Sequence, residues 1–156
     1  MIRRIDRHLL DDVSRQARES PRLRNNLNFH ATDDFPAHRL LNAIEPGSYV
    51  APHRHSDVTK DETVLVLQGS LGLVTFDDEG QVLTHCRLDA SGDCVGVDIT
   101  HGTWHTVIAL SPGTVMFEAK AGPFVPLEFK ERAPWAPREG SVDAPTYLSR
   151  LTQLFD

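Results

Sequence analysis

Apolar residues near the start of the chain recur at four-residue steps, with charged residues between them: Ile5, Leu9, Val13 and Ala17. This spacing places them on one side of a helix, so it predicts an amphipathic helix whose apolar side faces the rest of the protein. Pro21 has no backbone N–H to donate within a helix, and the helix is therefore predicted to end before it.

From Arg39 onward the pattern changes to short segments rich in Val, Ile, Leu, Thr and Phe. Turn residues such as Pro46-Gly47 and Pro112-Gly113 separate these segments, which is typical of successive antiparallel strands. Many short strands with no helix between them favour an all-β sandwich or barrel over a doubly wound α/β sheet. The predicted strands cover residues 39–45, 48–55, 62–68, 71–77, 82–88, 95–99, 104–110 and 114–120.

The last part of the chain differs, because four prolines between Gly122 and Gly140 exclude a central strand and predict an ordered coil wrapped on the barrel. A short helix is predicted to start near Pro145 and to bury three leucines, Leu148, Leu151 and Leu154. We therefore expect one domain in three parts: a helix and lead-in segment over 1–38, a barrel core over 39–121, and a proline-rich coil with a C-terminal helix over 122–156.

Composition and charge narrow the class of protein. The chain has 156 residues, of which 40% are hydrophobic and 24% are charged, which is ordinary for a single globular domain. A formal net charge of -6, with Lys and Arg scattered, argues against a nucleic-acid partner. No signal peptide and no apolar run of about 18 residues is present, so we expect a cytoplasmic protein without a membrane span. Cys86 and Cys94 are expected to be free thiols.

Four side chains have the types and spacing of metal ligands. His53 and His55 are two residues apart on a predicted strand, so both side chains face the same side of it. Glu62 and His105 each lie at the start of a further predicted strand. Three neutral imidazoles and one carboxylate suit one divalent transition metal ion (Fe, Mn, Zn, Ni, Co or Cu) and leave one or two coordination positions open. The competing interpretation is that these are solvated surface groups, but the coincidence of four such residues favours the metal site.

Other polar residues are candidates for binding a substrate. Tyr49 shares strand parity with His53 and His55, so its hydroxyl is predicted to face the same interior, and Arg39 is a candidate for orienting an anionic substrate. A polar and basic set either lines the mouth of the pocket or consists of ordinary surface charges and turn caps. Its members are Arg22, Arg24, Asn28, His30, Arg39 and Asn42.

The residues near the predicted ligands are not expected to bind the metal themselves. His101 lies on a turn, so it can at most support His105 from outside the ligand set. Trp104 is one step out of phase with His105 and is predicted to pack on the opposite face. Glu118 and Lys120 share a strand face, but the sequence does not fix the register of their strand, so no role is assigned to them.

The spacing Gly47-x5-His53-x-His55-x6-Glu62-x6-Gly69 resembles the first cupin motif, and Gly102-x2-His105 resembles the core of the second. The second motif departs from the usual pattern at Thr100, where proline is common, and at Ala109, where asparagine is common. The stretches 20–30, 38–42, 52–55, 122–126 and 133–137 resemble the WbuC-type cupin fold metalloproteins, within the RmlC-like superfamily. This resemblance implies a bacterial protein with a cupin (jelly-roll) barrel, the four metal ligands named above and an association with surface-polysaccharide genes, and it implies no settled reaction.

Three functions remain open at this point. The first is a metalloenzyme that acts on a small polar substrate, a sugar or a keto or hydroxy acid, as an isomerase, epimerase or dioxygenase. The second is a module that binds or senses a small polar or anionic molecule through the metal without catalysis, and the third is a metal-free relic. The segment from Thr63 to Leu67 is apolar on both faces, so a homodimer is also expected.

Overall fold

Eight strands form two antiparallel sheets in the computed structural model, which describes residues 1–156. The larger sheet has the strand order β1-β2-β8-β3-β6, and the smaller has the order β5-β4-β7. The strands are β1 (Arg24–Asn28), β2 (Ala37–Ile44), β3 (Glu62–Gln68), β4 (Ser70–Phe76), β5 (Val82–Asp89), β6 (Gly96–Ile99), β7 (Trp104–Ala109) and β8 (Thr114–Ala121). The helices are α1 (Arg7–Glu19) and α2 (Ala144–Thr152), with short 3-10 turns at Phe129–Glu131 and Gln153–Phe155.

The two sheets face each other across an apolar core, which includes Val64 and Met116 from the larger sheet and Leu71 and Leu73 from the smaller. These residues are buried because alternate side chains of each strand point to the same face, so one face of each sheet can be apolar. The architecture is the predicted all-β cupin barrel with an N-terminal helix and a short C-terminal helix.

Helix α1 covers the outer face of the larger sheet. Val13 and Ala17 are fully buried there against Leu41 and Val115, as the four-residue pattern predicts. Ile5 was expected to share this face, but Asp6 caps the helix by accepting a hydrogen bond from Leu9 N, so Ile5 precedes the helix and is exposed. No helix in the structure has the length and apolar character needed to cross a membrane.

One predicted strand is absent, and one observed strand was not predicted. Residues 48–55 form no regular strand, and only His53 makes isolated bridges, to His105 and Arg132. Pro52 has no N–H for a ladder, which explains why regular pairing fails there. Conversely, β1 was missed because its sequence is mostly polar and rich in asparagine, which is depleted in strands. Strand β1 forms because it pairs with β2 over five residues, although its own sequence does not favour a strand.

The proline-rich segment after β8 is irregular except for one 3-10 turn, as predicted, and Cys86 and Cys94 are free. It packs with α2 on the outer face of the smaller sheet, where Leu148 and Leu151 are buried beside Trp104. Leu154 lies beyond α2 in the last 3-10 turn and is only partly buried.

Two arginines join the start of the chain to this segment. Arg22 binds Glu139 through two parallel hydrogen bonds of 2.8 Å, and Arg24 donates a third to the same carboxylate at 2.8 Å. The hydrogen bond from Arg22, helped by Arg24 and opposed by burial, lowers the pKa of Glu139 to about 2. Both arginines therefore act in this clamp.

We expect Glu139→Gln to lower the free energy of unfolding by about 1 kcal/mol or less, because the carboxylate is partly exposed and the pairs are screened. A carboxylate with a lowered pKa stabilises the fold above its ordinary pKa and loses that contribution as the pH falls. The difference between wild type and variant in urea unfolding should therefore be full at pH 7 and shrink below pH 4.5, toward the pKa of about 2. Glu79→Gln, an exposed carboxylate without side-chain contacts, is the control, and a difference that persists at pH 2 would contradict the clamp.

Candidate metal centre

Three parts of the fold bring the predicted ligands to one end of the barrel. Glu62 is the first residue of β3, in the larger sheet, and His105 is the second residue of β7, in the smaller one. The irregular segment that carries His53 and His55 is held to β7 by paired backbone hydrogen bonds, from His53 N to His105 O at 3.0 Å and from His105 N to His53 O at 2.9 Å. The two histidine segments are thus joined directly.

The four side chains meet around the carboxylate of Glu62. His55 Nε2 lies 3.2 Å from Oε1, and His105 Nε2 lies 3.1 Å from Oε2. The ligand atoms of His53, His55 and Glu62 all lie within 4.8 Å of one another. His105 stands on the other side of Glu62 from His55, with 6.4 Å between their ring centroids and 4.6 Å to the ring of His53. His53, His55 and Glu62 therefore form one group of possible ligand atoms, and His105 adjoins it through its contact with Glu62.

The backbone fixes the proton positions of two of these rings. His53 Nδ1 lies 3.1 Å from Ala51 O, and His105 Nδ1 lies 2.9 Å from Thr103 O. A carbonyl oxygen only accepts hydrogen bonds, so Nδ1 carries the proton and each neutral ring presents a lone pair at Nε2. Metal-binding histidines are commonly oriented in this way.

The third ring and the carboxylate also fit a cation. His55 Nε2 is buried and has no hydrogen-bond partner. Ligand arms of about 2.1 Å around one ion would separate adjacent ligand atoms by roughly 3.0–3.4 Å. The two observed N–O separations, 3.1 and 3.2 Å, lie in this range. Without an ion between them, the lone pair of His105 Nε2 would face a carboxylate oxygen in a buried site, so this donor set fits a divalent metal.

The pKa values agree with this charge distribution. Burial, followed by electrostatic interaction with the His105 ring, lowers the pKa of His53 to about 3, which keeps its imidazole neutral. Burial alone raises the pKa of Glu62, but contacts with His105, His55 and Lys120 outweigh it and hold that pKa well below its usual range. The site thus presents an ionised carboxylate next to a neutral imidazole.

Sequence reasoning missed a lysine and a second carboxylate beside the site. Lys120 Nζ donates to Glu62 Oε1 at 2.7 Å and lies 2.6 Å from Glu118 Oε1, while Asn42 donates to Glu118 Oε2 at 2.7 Å. Burial raises the pKa of Glu118, and the charge of Lys120 opposes that rise. The shared face of Glu118 and Lys120 was visible in the sequence, but the pairing of Glu62 with Lys120 that places them inside required the register of β3 and β8.

The two predicted substrate-orienting residues lie elsewhere. The Tyr49 hydroxyl donates to Pro137 O at 2.8 Å, and its ring packs with α2, because 48–55 is not a strand and the parity argument fails. Arg39 shares a strand face with Leu41, which contacts α1, and its exposed guanidinium lies over the Phe35 ring at 5.9 Å. Neither residue reaches Glu62.

The polar and basic set is dispersed. Apart from the two clamp arginines, Asn28 is exposed on edge strand β1, and His30 is buried in a stack on His38 with 3.9 Å between ring centroids. Only Asn42 belongs to the chain of polar groups that ends at Glu62. His101 contacts Asp61 on an exposed turn.

Trp104 faces away from His105, as predicted. It is buried beside α2, and its Nε1 donates to Asp78 at 2.9 Å.

A cavity of about 320 Å³ opens beside the site, and His55 lies in its wall. Lys60, Ser56 and Glu131 line its outer part, and Glu131 accepts hydrogen bonds from the backbone and hydroxyl of Ser56. This opening gives a small polar molecule access to the partly buried ring of His55.

Comparison with known proteins gives a family and a fold. The model of a family described as a domain of unknown function, DUF6016, matches residues 5–88. No curated protein matches the chain.

Among solved structures, SPY1581, a conserved protein of unknown function from Streptococcus pyogenes, is 10% identical. The match covers 80% of this chain and 91% of that one, with a TM-score of 0.53. KdgF from a Halomonas species is 22% identical over 66% of this chain and 81% of its own, with a TM-score of 0.49. The cupin superfamily protein DSY2733 from Desulfitobacterium hafniense is 13% identical over 63% and 76%, also at 0.49. These likenesses concern the fold alone.

Proposed function

Since the chain belongs to the family described as a domain of unknown function, DUF6016, we propose its function from its own site. It is a cupin that binds one divalent transition metal ion through His53, His55, Glu62 and His105. The observation that carries this proposal is the buried Nε2 of His55, which has no hydrogen-bond partner and faces a carboxylate. A buried ring nitrogen without a hydrogen-bond partner is costly, and a cation bound to its lone pair would remove that cost.

We propose further that the protein is a metalloenzyme for a small polar substrate, a sugar or a keto or hydroxy acid. When bound, the ion supplies a Lewis acid for a carbonyl or enediolate oxygen. The chain's own residues hold the site, admit substrate past His55 and keep bulk water from the buried carboxylates. Glu118, whose pKa burial raises, is the group placed to take up or release a proton, as an isomerase or epimerase requires. A dioxygenase reaction fits the same ligands if the ion is iron.

A binding or sensing module is the second candidate, and one observation favours it. Lys120 is paired with both Glu62 and Glu118, so each charged group of this cluster already has a partner of opposite sign. Such pairing makes a rigid pocket without needing a proton to move.

The resemblance to WbuC-type cupins lies in stretches outside the barrel motifs as well as within them, such as 20–30 and 133–137. We propose on this basis a bacterial, cytoplasmic protein with a role in surface-polysaccharide metabolism.

The ligand set can be tested by metal analysis. We expect protein purified without chelator to hold about one equivalent of a transition metal, and Glu62→Gln or His105→Ala to weaken its binding by more than about 100-fold, since each removes a ligand. Titration calorimetry with Zn²⁺ on stripped protein measures the affinity. His101→Ala, on the exposed turn, should bind as wild type does, and a full equivalent retained by both ligand variants would refute the site.

Catalysis and binding can be separated with a Glu118→Gln variant. If the protein is an enzyme, metal-loaded wild type should convert one member of a panel of sugars and hydroxy or keto acids, followed by NMR, and the variant should lose at least about 100-fold in rate while still binding that compound. Binding without conversion by wild type would instead support the sensing module.

The homodimer is testable by mass. Leu65 on β3 is 39% exposed and Val95, beside it at the same sheet edge, is 46% exposed, whereas α1 covers Leu67. A partner subunit on this edge would cover both residues. Light scattering after size exclusion should give twice the 17.4 kDa of one chain, and a Leu65→Lys variant should give one chain. Wild type at 17.4 kDa would exclude the dimer.

A further inference from the structure

Lys120 is the one cation inside the barrel beside the candidate metal centre, and the proposed function gives it no role. Lys120 lies on β8, opposite Glu62 of β3 on one side and His38 of β2 on the other. Residues that lie opposite each other in a sheet point to the same face, so the side chain of Lys120 points into the barrel with that of Glu62. The side chain is only 21% exposed, and its partners Glu62 and Glu118 are exposed by 6% and 8%. A lysine this enclosed requires partners, and the carboxylates supply them.

The donors of Lys120 are not exhausted by these partners. A lysine ammonium carries three N–H groups. Its protein neighbours are two carboxylate oxygens, Glu62 Oε1 and Glu118 Oε1. At least one N–H of Lys120 therefore has no protein acceptor. This N–H lies next to the Glu62 carboxylate, which is also a proposed ligand of the ion.

The formal charges around this N–H group indicate which kind of ligand it would bind. The inner groups Glu62, Glu118 and Lys120 sum to a formal charge of −1. A divalent ion would change that sum to +1. An uncompensated positive charge in a buried site is unfavourable, so the loaded site is complementary to an anion.

We propose that Lys120, together with the bound ion, receives the carboxylate of a small monoanionic ligand, so that the site selects a 2-hydroxy or 2-oxo acid over a neutral sugar. This inference rests on the proposed metal site, and it decides between the two substrate classes that the site leaves open. The free N–H of Lys120 binds one carboxylate oxygen, and the ligand's charge neutralises the loaded interior.

The test compares a carboxylate with its neutral isostere. Lactate and lactamide are titrated by calorimetry into Zn²⁺-loaded protein whose metal content has been measured first. We expect lactate to bind at least about tenfold more tightly than lactamide, and Lys120→Met to remove that preference while the metal stays bound. Arg150→Met, which removes an exposed cation on α2, is the matched control and should keep the preference.

A second variant keeps the test decisive if Lys120→Met does not fold. Glu118→Gln removes one negative charge from the interior, so it should strengthen lactate binding relative to lactamide. Equal affinities for lactate and lactamide in metal-loaded wild type would overturn the inference, and so would an unchanged preference in Lys120→Met. Protein that takes up no metal at all would instead refute the proposed function before any ligand is added.

Discussion

Glu62 brings a negative charge into the interior of the barrel, and the surrounding side chains are arranged to compensate for its burial. Isolated, such a carboxylate would cost several kcal/mol, roughly, even after the protein relaxes around it. Here it contacts two imidazoles and the ammonium of Lys120. His105, whose Nδ1 donates to Thr103 O, presents a lone pair to this carboxylate, and the lysine also contacts Glu118, so a further cation would complete the compensation. The proposed metal ion would be that cation.

The sequence predicts those parts of the fold whose signal is local. Apolar residues at four-residue steps place α1, because a helix repeats every 3.6 residues. Alternating apolar segments between turns place β3, β4 and β7 within a few residues of their observed bounds. The residue types and spacing of His53, His55, Glu62 and His105 also mark them as candidate ligands.

The remaining features depend on contacts between distant segments. The register of β3 against β8 brings Lys120 opposite Glu62, and no local pattern determines that register. Strand β1 has a polar sequence and exists because β2 offers it an edge to pair with. The segment that contains His53 is joined to β7 by two backbone hydrogen bonds and does not form a regular strand. The alternation of side chains expected for a strand therefore does not apply, and the Tyr49 hydroxyl donates to Pro137 O instead of facing the barrel interior. Sequence reasoning therefore identifies the four candidate ligands and misses the charged groups beside them.

The position of the site also links it to the stability of the barrel. Glu62 belongs to the larger sheet and His105 to the smaller, while His53 lies on a segment that only two backbone hydrogen bonds join to β7. An ion held by all three would connect the two sheets at one end, where the apolar core gives way to polar groups. Because such an ion binds the folded state and not the unfolded chain, its binding free energy adds to the stability of the fold. The residues that would bind the ion are therefore also the residues that close this end of the barrel.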